Sequence, residues 1–346
     1  MKVYCHLLTW NDHRYLPELF ASFDAQTYRD FSVRVLDNGS NDKTVEYLQT
    51  HVPQTLVGHN VRNLGFAEGH NQLVRFTLEH EIGSEIDPCI LIMNSDMILH
   101  KDAIKNMVEA LDAHPEWSAV QPKVYRAFGE HTGDESLKET VLSDILDTTG
   151  LRVQKGWRMT DRGAGEMDSG QYDSHIELFG PAGAIFMIRL SALKELFVNA
   201  ELFDREFFAY REDCDLAWRM AGKRLKTGFV PSATLHHYRG MYGAERLSFW
   251  KRLRNRQGQR PFFAALSTRN QLFLLLKNLS FGDLCLALPW IVWNEGIRVG
   301  YGFLFEPETR RCLLGMWKAV GSMMAKRKTI LATRIATGGE LRSYVV

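Results

Sequence analysis

Cys89-Ile90-Leu91-Ile92-Met93-Asn94-Ser95-Asp96 decides the fold: an unbroken apolar run stops abruptly at three polar residues, the last a carboxylate. A short apolar run of this kind suits a strand covered on both faces. The same pattern precedes it at Val3–Leu8, Phe31–Leu36 and Thr55–Gly58. Helical patterns lie between these runs, at Pro17–Gln26, Asp42–Thr50 and Phe66–His80, and another follows at Lys101–Ala113, where Ala103, Ile104, Met107, Val108 and Leu111 recur at helical spacing. Such alternation predicts an α/β domain, a Rossmann-like, mostly parallel sheet flanked by helices, with ligands bound beyond the carboxyl ends of the strands. Asp96 would then stand at that edge.

The 346 residues are 45% apolar and 24% charged, enough for one large domain with an appendage. Charge is unevenly divided. Residues 241–346 hold 17 Lys and Arg against 6 Asp and Glu, a net of +11, whereas 1–240 hold 25 against 35, a net of −10. The boundary near 240 therefore separates an acidic α/β part, residues 1–240, from a basic, helical C-terminal extension, residues 241–346, suited to an anionic partner. Within the first part, 126–175 is rich in Gly, Asp, Glu, Ser and Thr with little periodicity, and reads as a mobile excursion across the active face. Phe262–Leu279 and Glu308–Lys326 are helical patterns, and Leu284–Trp293 is intensely apolar yet shorter than the about 20 residues a membrane span needs. It reads as a buried or interfacial helix. Five scattered cysteines without a Cys-x-x-Cys pair argue for a reducing compartment and against a structural zinc site. The N-terminal segment reads as a first strand and not a signal peptide, which places the chain in the cytoplasm.

The strand ends carry the chemistry. The first runs into Thr9-Trp10-Asn11-Asp12 without Gly-x-Gly-x-x-Gly or Gly-Lys-Ser/Thr, which counts against a dinucleotide oxidoreductase and a phosphate-loop nucleotidase. The second ends in Asp37-Asn38-Gly39-Ser40-Asn41-Asp42. Asp37 could accept hydrogen bonds from a pyrimidine or ribose, though the same residues make a turn with a helix cap. Asp96 suits a divalent cation bridging phosphates, because hard cations prefer oxygen ligands. Glu212, Asp213 and Asp215 crowd three carboxylates together, and such proximity raises a pKa toward that of a general base. The alternative is a helix N-terminus that favours negative charge. Asp215 and Arg219, one turn apart, read as a structural pair. His236 and His237 end a strand-like run and offer a metal ligand. Trp157, Trp218 and Tyr210 are either sugar-stacking rings or core.

In order along the chain, Thr9-Trp10-Asn11, Val35-Leu36-Asp37-Asn38-Gly39-Ser40, Asn63-Leu64-Gly65-Phe66-Ala67-Glu68-Gly69-His70-Asn71, Met93-Asn94-Ser95-Asp96 and Phe207 through Arg219 resemble the family 2 glycosyltransferases of GT-A fold, in their bacterial rhamnosyltransferase-like branch. The likeness covers Val3 to about Gly240, with a fainter echo in Thr268–Lys277. It implies an inverting transfer of a sugar, rhamnose from dTDP-rhamnose in that branch, from a nucleoside-diphosphate donor to a glycan or lipid-linked saccharide acceptor. By the same likeness Thr9 and Asp37 hold nucleobase and ribose, Asn63 and Gly65 line the diphosphate and sugar pocket, and Asn11, Asn71, Asn94 and Ser95 belong to the donor site. Asp96 would be the surviving acid of an Asp-x-Asp motif, binding Mn²⁺ or Mg²⁺ with His237, or His236 in its place. Asp213 would be the catalytic base, supported by Glu212. Asn94 departs from the pattern, since many members carry Asp there. Gly180-Pro181-Ala182-Gly183-Ala184 resembles the small-residue stretch that precedes the acceptor site.

The basic stretches Lys251-Arg252-Leu253-Arg254-Asn255-Arg256 and Lys326-Arg327-Lys328 flank apolar helices, which fits peripheral contact with the cytoplasmic face of a membrane without a span. No nucleic-acid motif accompanies the charge, so nucleic acid is not an expected partner. Self-association is compatible with the sequence. The remaining readings are transfer of another hexose from a UDP- or GDP-sugar, or a sugar-nucleotide binder that has lost its chemistry.

Overall fold

A computed structural model describes residues 1–80, 87–131, 137–238 and 261–346. Its centre is a ten-stranded sheet whose principal order is β10-β12-β6-β11-β4-β1-β2-β3. The strands on this path are β1 (Val3–Thr9), β2 (Phe31–Asp37), β3 (Leu56–His59), β4 (Cys89–Asn94), β6 (Trp117–His131), β10 (Glu177–Leu178), β11 (Ile185–Arg189) and β12 (Lys226–Tyr238), and off it the short β5 (Met97–Leu99) pairs with β12. Strands β1 to β4 are mutually parallel, as is β6 with β12, while β11 runs antiparallel between β4 and β6. The expected α/β sheet is present, with its parallel character concentrated in the first half.

Alternation of side chains along each strand sorts the core into two layers. Cys89, Leu91 and Met93 face one side, where they pack with Leu16, Leu19 and Phe23 of α1 (Leu16–Asp24), Leu48 of α2 (Thr44–His51) and Ile104, Met107 and Leu111 of α4 (Ala103–Ala113). Ile90 and Ile92 face the other, against Val74 of α3 (Gly65–His80), Leu193 of α5 (Leu190–Glu195) and Leu216 and Met220 of α6 (Glu212–Gly222). Each such fully buried side chain contributes about 1.5–3 kcal/mol. That two-sided burial is why the strands read as continuous apolar runs.

The polar stretch 126–175 holds regular structure. β7 (Leu137–Thr148) pairs antiparallel with β6, and β8 (Leu151–Gln154) forms a separate ribbon with β9 (Arg158–Asp161). Register shifts along the β6–β7 pair break the two-residue alternation. This is the physical reason that the stretch shows no periodicity.

Beyond the described break come α7 (Pro261–Asn278), α8 (Phe281–Phe305), α9 (Pro307–Gly315), α10 (Trp317–Thr333) and α11 (Gly338–Arg342). α7 is built into the body of the domain: Phe273 and Leu274 share one buried cluster with Trp157, Phe207 and Trp218. Trp157 and Trp218 stack at 4.5 Å between centroids and are both buried, so they are core and not sugar platforms.

A buried ionic network reinforces that junction. Lys277 donates to Asp204 at 2.8 Å and to Asp215 at 2.9 Å, and Arg219 donates to Asp215 at 3.0 Å. Lys326 reaches Asp204 from α10. Lys326 therefore lies inside the protein, which removes it from the basic triad expected to face a membrane; its partners are buried acids, not lipid phosphates. Lys251–Arg256 falls outside the described residues.

Removing one partner from a buried network strands the others' charge and costs about 3–5 kcal/mol. Lys277→Ala should lower the urea midpoint accordingly. Arg311→Ala, on a side chain that is 78% exposed, should shift it by under about 0.5 kcal/mol. Equal effects of the two substitutions in a denaturation titration would contradict this account of the junction.

Candidate functional site

Parallel pairing sets the ends of β1, β2 and β4 level, with Thr9 opposite Asp37 and Leu8 opposite Asn94. Beyond them opens a cleft of about 230 Å³ lined by Thr9, Trp10, Asp12, Asn38, Asn63, Gly65, Asn94, Ser95 and Asp96, with Phe208, Ala209 and Phe263 across from them. Of the expected donor residues, Thr9, Asn63, Gly65, Asn94, Ser95 and Asp96 thus share one surface.

The loop chemistry behind that surface is local. Asn38 donates to the Asn63 side chain at 3.0 Å and to the Gly65 carbonyl at 3.2 Å, and it accepts from the Leu64 amide at 3.1 Å. Gly65 has φ +89°, and a Cβ there would lie 2.4 Å from the Phe208 carbonyl oxygen. Glycine is required on both counts. Asp37 lies behind the cleft wall, its Oδ2 accepting from the amides of Gly39 and Ser40 at 3.2 and 3.1 Å, while its buried Oδ1 has no partner among the described residues. Asn11 accepts from the Asn41 amide at 2.8 Å and braces the same turn.

Asn71 does not belong to this surface. It is buried within α3 and clamps the Leu202–Phe203 backbone, donating to the Phe203 carbonyl at 2.7 Å and accepting from both amides at 3.1 and 2.9 Å. Its motif position reflects that clamp, since its carboxamide oxygen and nitrogen are both engaged by this backbone inside the protein.

Asp96 meets His237. The imidazole Nε2 lies 3.1 Å from Asp96 Oδ1, and its Nδ1 lies 2.7 Å from Asp147 Oδ2, on β7. Burial opposes charge on this ring, but the carboxylates of Asp96 and Asp147 outweigh it and raise the pKa to about 10. His236, one residue earlier on β12, points the other way and stacks on Tyr125, so strand alternation removes it as the fallback ligand. Asp12 adds a further acid. It accepts from Ser95 Oγ and from the Trp10 amide at 2.9 Å, and burial together with Asp96 pushes its pKa up to about 6.

Asp96 and His237 have the chemistry to hold a divalent cation. A carboxylate and an imidazole converge at the cleft edge, and Asp147 behind the ring supplies the outer carboxylate that orients metal-binding histidines. No group of three or more His, Cys, Asp or Glu side chains arranged to hold an ion occurs among the described residues. The remaining positions would thus fall to phosphate oxygens or water.

Glu212 and Asp213 open α6 behind a contorted loop. Phe208, Tyr210 and Arg211 have φ of 66°, 70° and 74°, a region costly for residues with side chains. α7 holds them there. The Asn270 amide donates to the carbonyls of Phe207, Ala209 and Tyr210 at 2.8, 2.9 and 2.8 Å, and Arg269 donates to those of Glu206 and Phe207 at 2.8 and 3.2 Å.

Asp213 is half-buried and lies outside the cleft lining, yet it is coupled to it. Its Oδ2 accepts from the Gly183 amide at 2.9 Å, and the neighbouring Ala184 carbonyl accepts from the Asn94 amide at 3.0 Å. A Cβ on Gly183 would sit 2.8 Å from Asp213 Cβ, and one on Gly180 would sit 2.3 Å from Ala217 Cβ. The small-residue stretch is thus what lets α6 approach. Glu212 is buried with Oε2 unpartnered among the described residues, and burial plus the Asp213 charge lifts it to about 8.

Sequence reasoning passed over Asp12, Asn38, Asp147, Phe263 and Asn270. Asp12 and Asn38 lie inside stretches already quoted but were given no role there, and Asn270 lies in the Thr268–Lys277 echo. Nothing local marked Asp147, which reaches His237 only because β7 folds back on β6.

The family model for glycosyl transferase family 2 matches residues 6–197. The N-acetylglucosaminyl-diphospho-decaprenol L-rhamnosyltransferase of Mycobacterium tuberculosis (strain CDC 1551 / Oshkosh) is 23% identical over 236 residues, 66% of this chain and 74% of that protein. Among solved structures, S. aureus TarS 1–349 superposes with a TM-score of 0.51 at 15% identity, covering 96% of this chain and 83% of its own. GalNAc-T7, solved with UDP, GalNAc and Mn²⁺, gives 0.56 at 12% identity, covering 95% of this chain and 55% of its own. The structural likenesses carry the GT-A fold, and the match over more than half of the sequence carries the family: this chain is an enzyme of glycosyl transferase family 2.

Proposed function

We propose that this transferase moves a sugar, rhamnose from dTDP-rhamnose, to a hydroxyl of a glycan or lipid-linked saccharide, with inversion. One observation carries the reading. The Asp96–His237 pair sits at the edge of a strand-end cleft, and Asp213 is wired to that same edge through Gly183, Ala184 and Asn94. The rhamnosyl donor and lipid-linked acceptor rest on the mycobacterial relative, whose name specifies both an L-rhamnosyl group and a decaprenol-linked substrate. An acceptor of that kind would be presented at the cytoplasmic face of a membrane, which the enzyme would meet through its C-terminal helices.

The donor's diphosphate would lie along the Thr9, Asn63 and Gly65 wall, with Asp37 behind it toward the base and ribose. Asp96 and His237 would hold Mn²⁺ or Mg²⁺, which supplies positive charge against the departing diphosphate. An Asp213 carboxylate oxygen would accept the proton of the acceptor hydroxyl as that oxygen bonds to the anomeric carbon and the bond to diphosphate breaks. A single displacement inverts the centre. The Gly183 amide keeps Asp213 aimed. Glu212, buried and raised toward neutrality, would stand beside the acceptor without adding a second full charge.

General-base help is worth about 10²–10⁴-fold, so Asp213→Asn should lose turnover on that scale while retaining donor binding. Turnover near wild type would reassign the base. Asn270→Asp keeps the side-chain shape and removes the donors that hold the 207–211 loop. It should cut kcat by up to about 10²-fold. An unchanged kcat would show that the loop holds its form without this clamp.

The donor itself is read by thermal shift across dTDP-, UDP- and GDP-sugars with and without Mn²⁺. A hundredfold excess over Kd stabilises by about 2.7 kcal/mol. A metal-dependent shift with dTDP-rhamnose that disappears in Asp96→Ala supports the assignment. The same behaviour with a UDP- or GDP-sugar alone would replace the donor, and no shift with any would favour a binder without chemistry.

A further inference from the structure

We infer that the outward face of α8 is a contact surface for an anionic lipid bilayer; this deepens the reading above, which presents the acceptor at a membrane. α8 is inverted relative to an ordinary surface helix, which turns apolar residues in and charges out. Of its 25 residues only Asp283, Ala287, Glu295 and Gly302 are buried. Its formal charges all point inward. Asp283, 2% exposed, is held by Arg334 and Arg342, and Glu295 pairs at 3.5 Å with Arg298, which also donates to the Ser267 carbonyl at 2.7 Å.

The solvent side instead carries Phe281, Leu286, Trp293, Leu304 and Phe305, continued by Trp317 at the start of α10, all more than 60% exposed. A helix of this length runs about 37 Å. Monomeric proteins rarely leave so long an apolar band open to water. Among the described residues no helix is long and apolar enough to cross a membrane, so a helix of this kind would lie along the surface.

Charge selects the occupant. Arg310, Arg311, Lys318 and Lys328 are exposed on α9 and α10. A second copy docking face to face would oppose like charges, whereas anionic headgroups would neutralise them. Exposed indoles suit the headgroup level, where an apolar ring and a hydrogen-bonding N–H are both satisfied.

The test is co-sedimentation of the full chain with vesicles of phosphatidylcholine alone or mixed with phosphatidylglycerol. Binding should require phosphatidylglycerol, weaken with salt, and fall at least tenfold in the Leu286→Glu/Trp293→Glu variant. The melting temperature and the donor-induced thermal shift of that variant should remain as in wild type. Absence of binding to either vesicle overturns the proposal, as does binding that the variant leaves intact. Sedimentation velocity in the same buffers covers the rival occupant: a dimer that the variant dissolves, without vesicle binding, assigns the face to a second copy. The donor reading is scored separately by its thermal shift. Vesicle binding without any donor shift would sink the transfer reading alone, and a donor shift without vesicle binding would sink this surface alone.

Discussion

The register of β1 against β2 and β4 is the constraint on which the site depends. Because Thr9 lies opposite Asp37 and Leu8 opposite Asn94, the polar residues that end these strands emerge at one level and form one edge. A slip of one residue would turn every side chain to the other face of the sheet. The two-sided core prevents it, since Leu91 and Ile92 each have a dedicated hydrophobic layer to fill. The strength of the packing and the placement of the chemistry are thus the same fact.

A second level of organisation holds the candidate base. The positive φ angles of Phe208, Tyr210 and Arg211 persist only because the surroundings over-determine them. Gly65 leaves room for the Phe208 carbonyl, Asn270 gathers the loop carbonyls, and Lys277 neutralises Asp204 and Asp215 on either side. The C-terminal helices therefore take part in shaping the site. The charge asymmetry along the chain is resolved partly by burying basic residues of the second part against acids of the first.

Much of this was legible in the sequence. The apolar runs are continuous because the strands are covered on both faces, so strands and helices could be placed from local pattern alone. Abrupt polar endings after such runs located the edge, and with it Thr9, Asn94, Ser95 and Asp96. The left-handed position at Gly65 was marked by the only residue that adopts it freely. Asp215 and Arg219 were legible as a pair because helical spacing brings them together without help from the rest of the fold.

Tertiary structure decided what depends on distant segments meeting. Asp147 reaches His237 through a hairpin whose bulges erase its periodicity, and strand alternation then selects His237 over His236. Asn71 carried the mark of a site residue and proved to be a clamp, because a buried amide spends its bonds on whichever backbone lies nearest. Lys326 was a surface base by composition and an internal ion by packing, since the acids that neutralise it, Asp204 foremost, come from a segment 122 residues away in the chain. Local pattern determines which elements form and where they end; only the folded chain determines which charges and amides face one another, because those pairings join residues scores of positions apart.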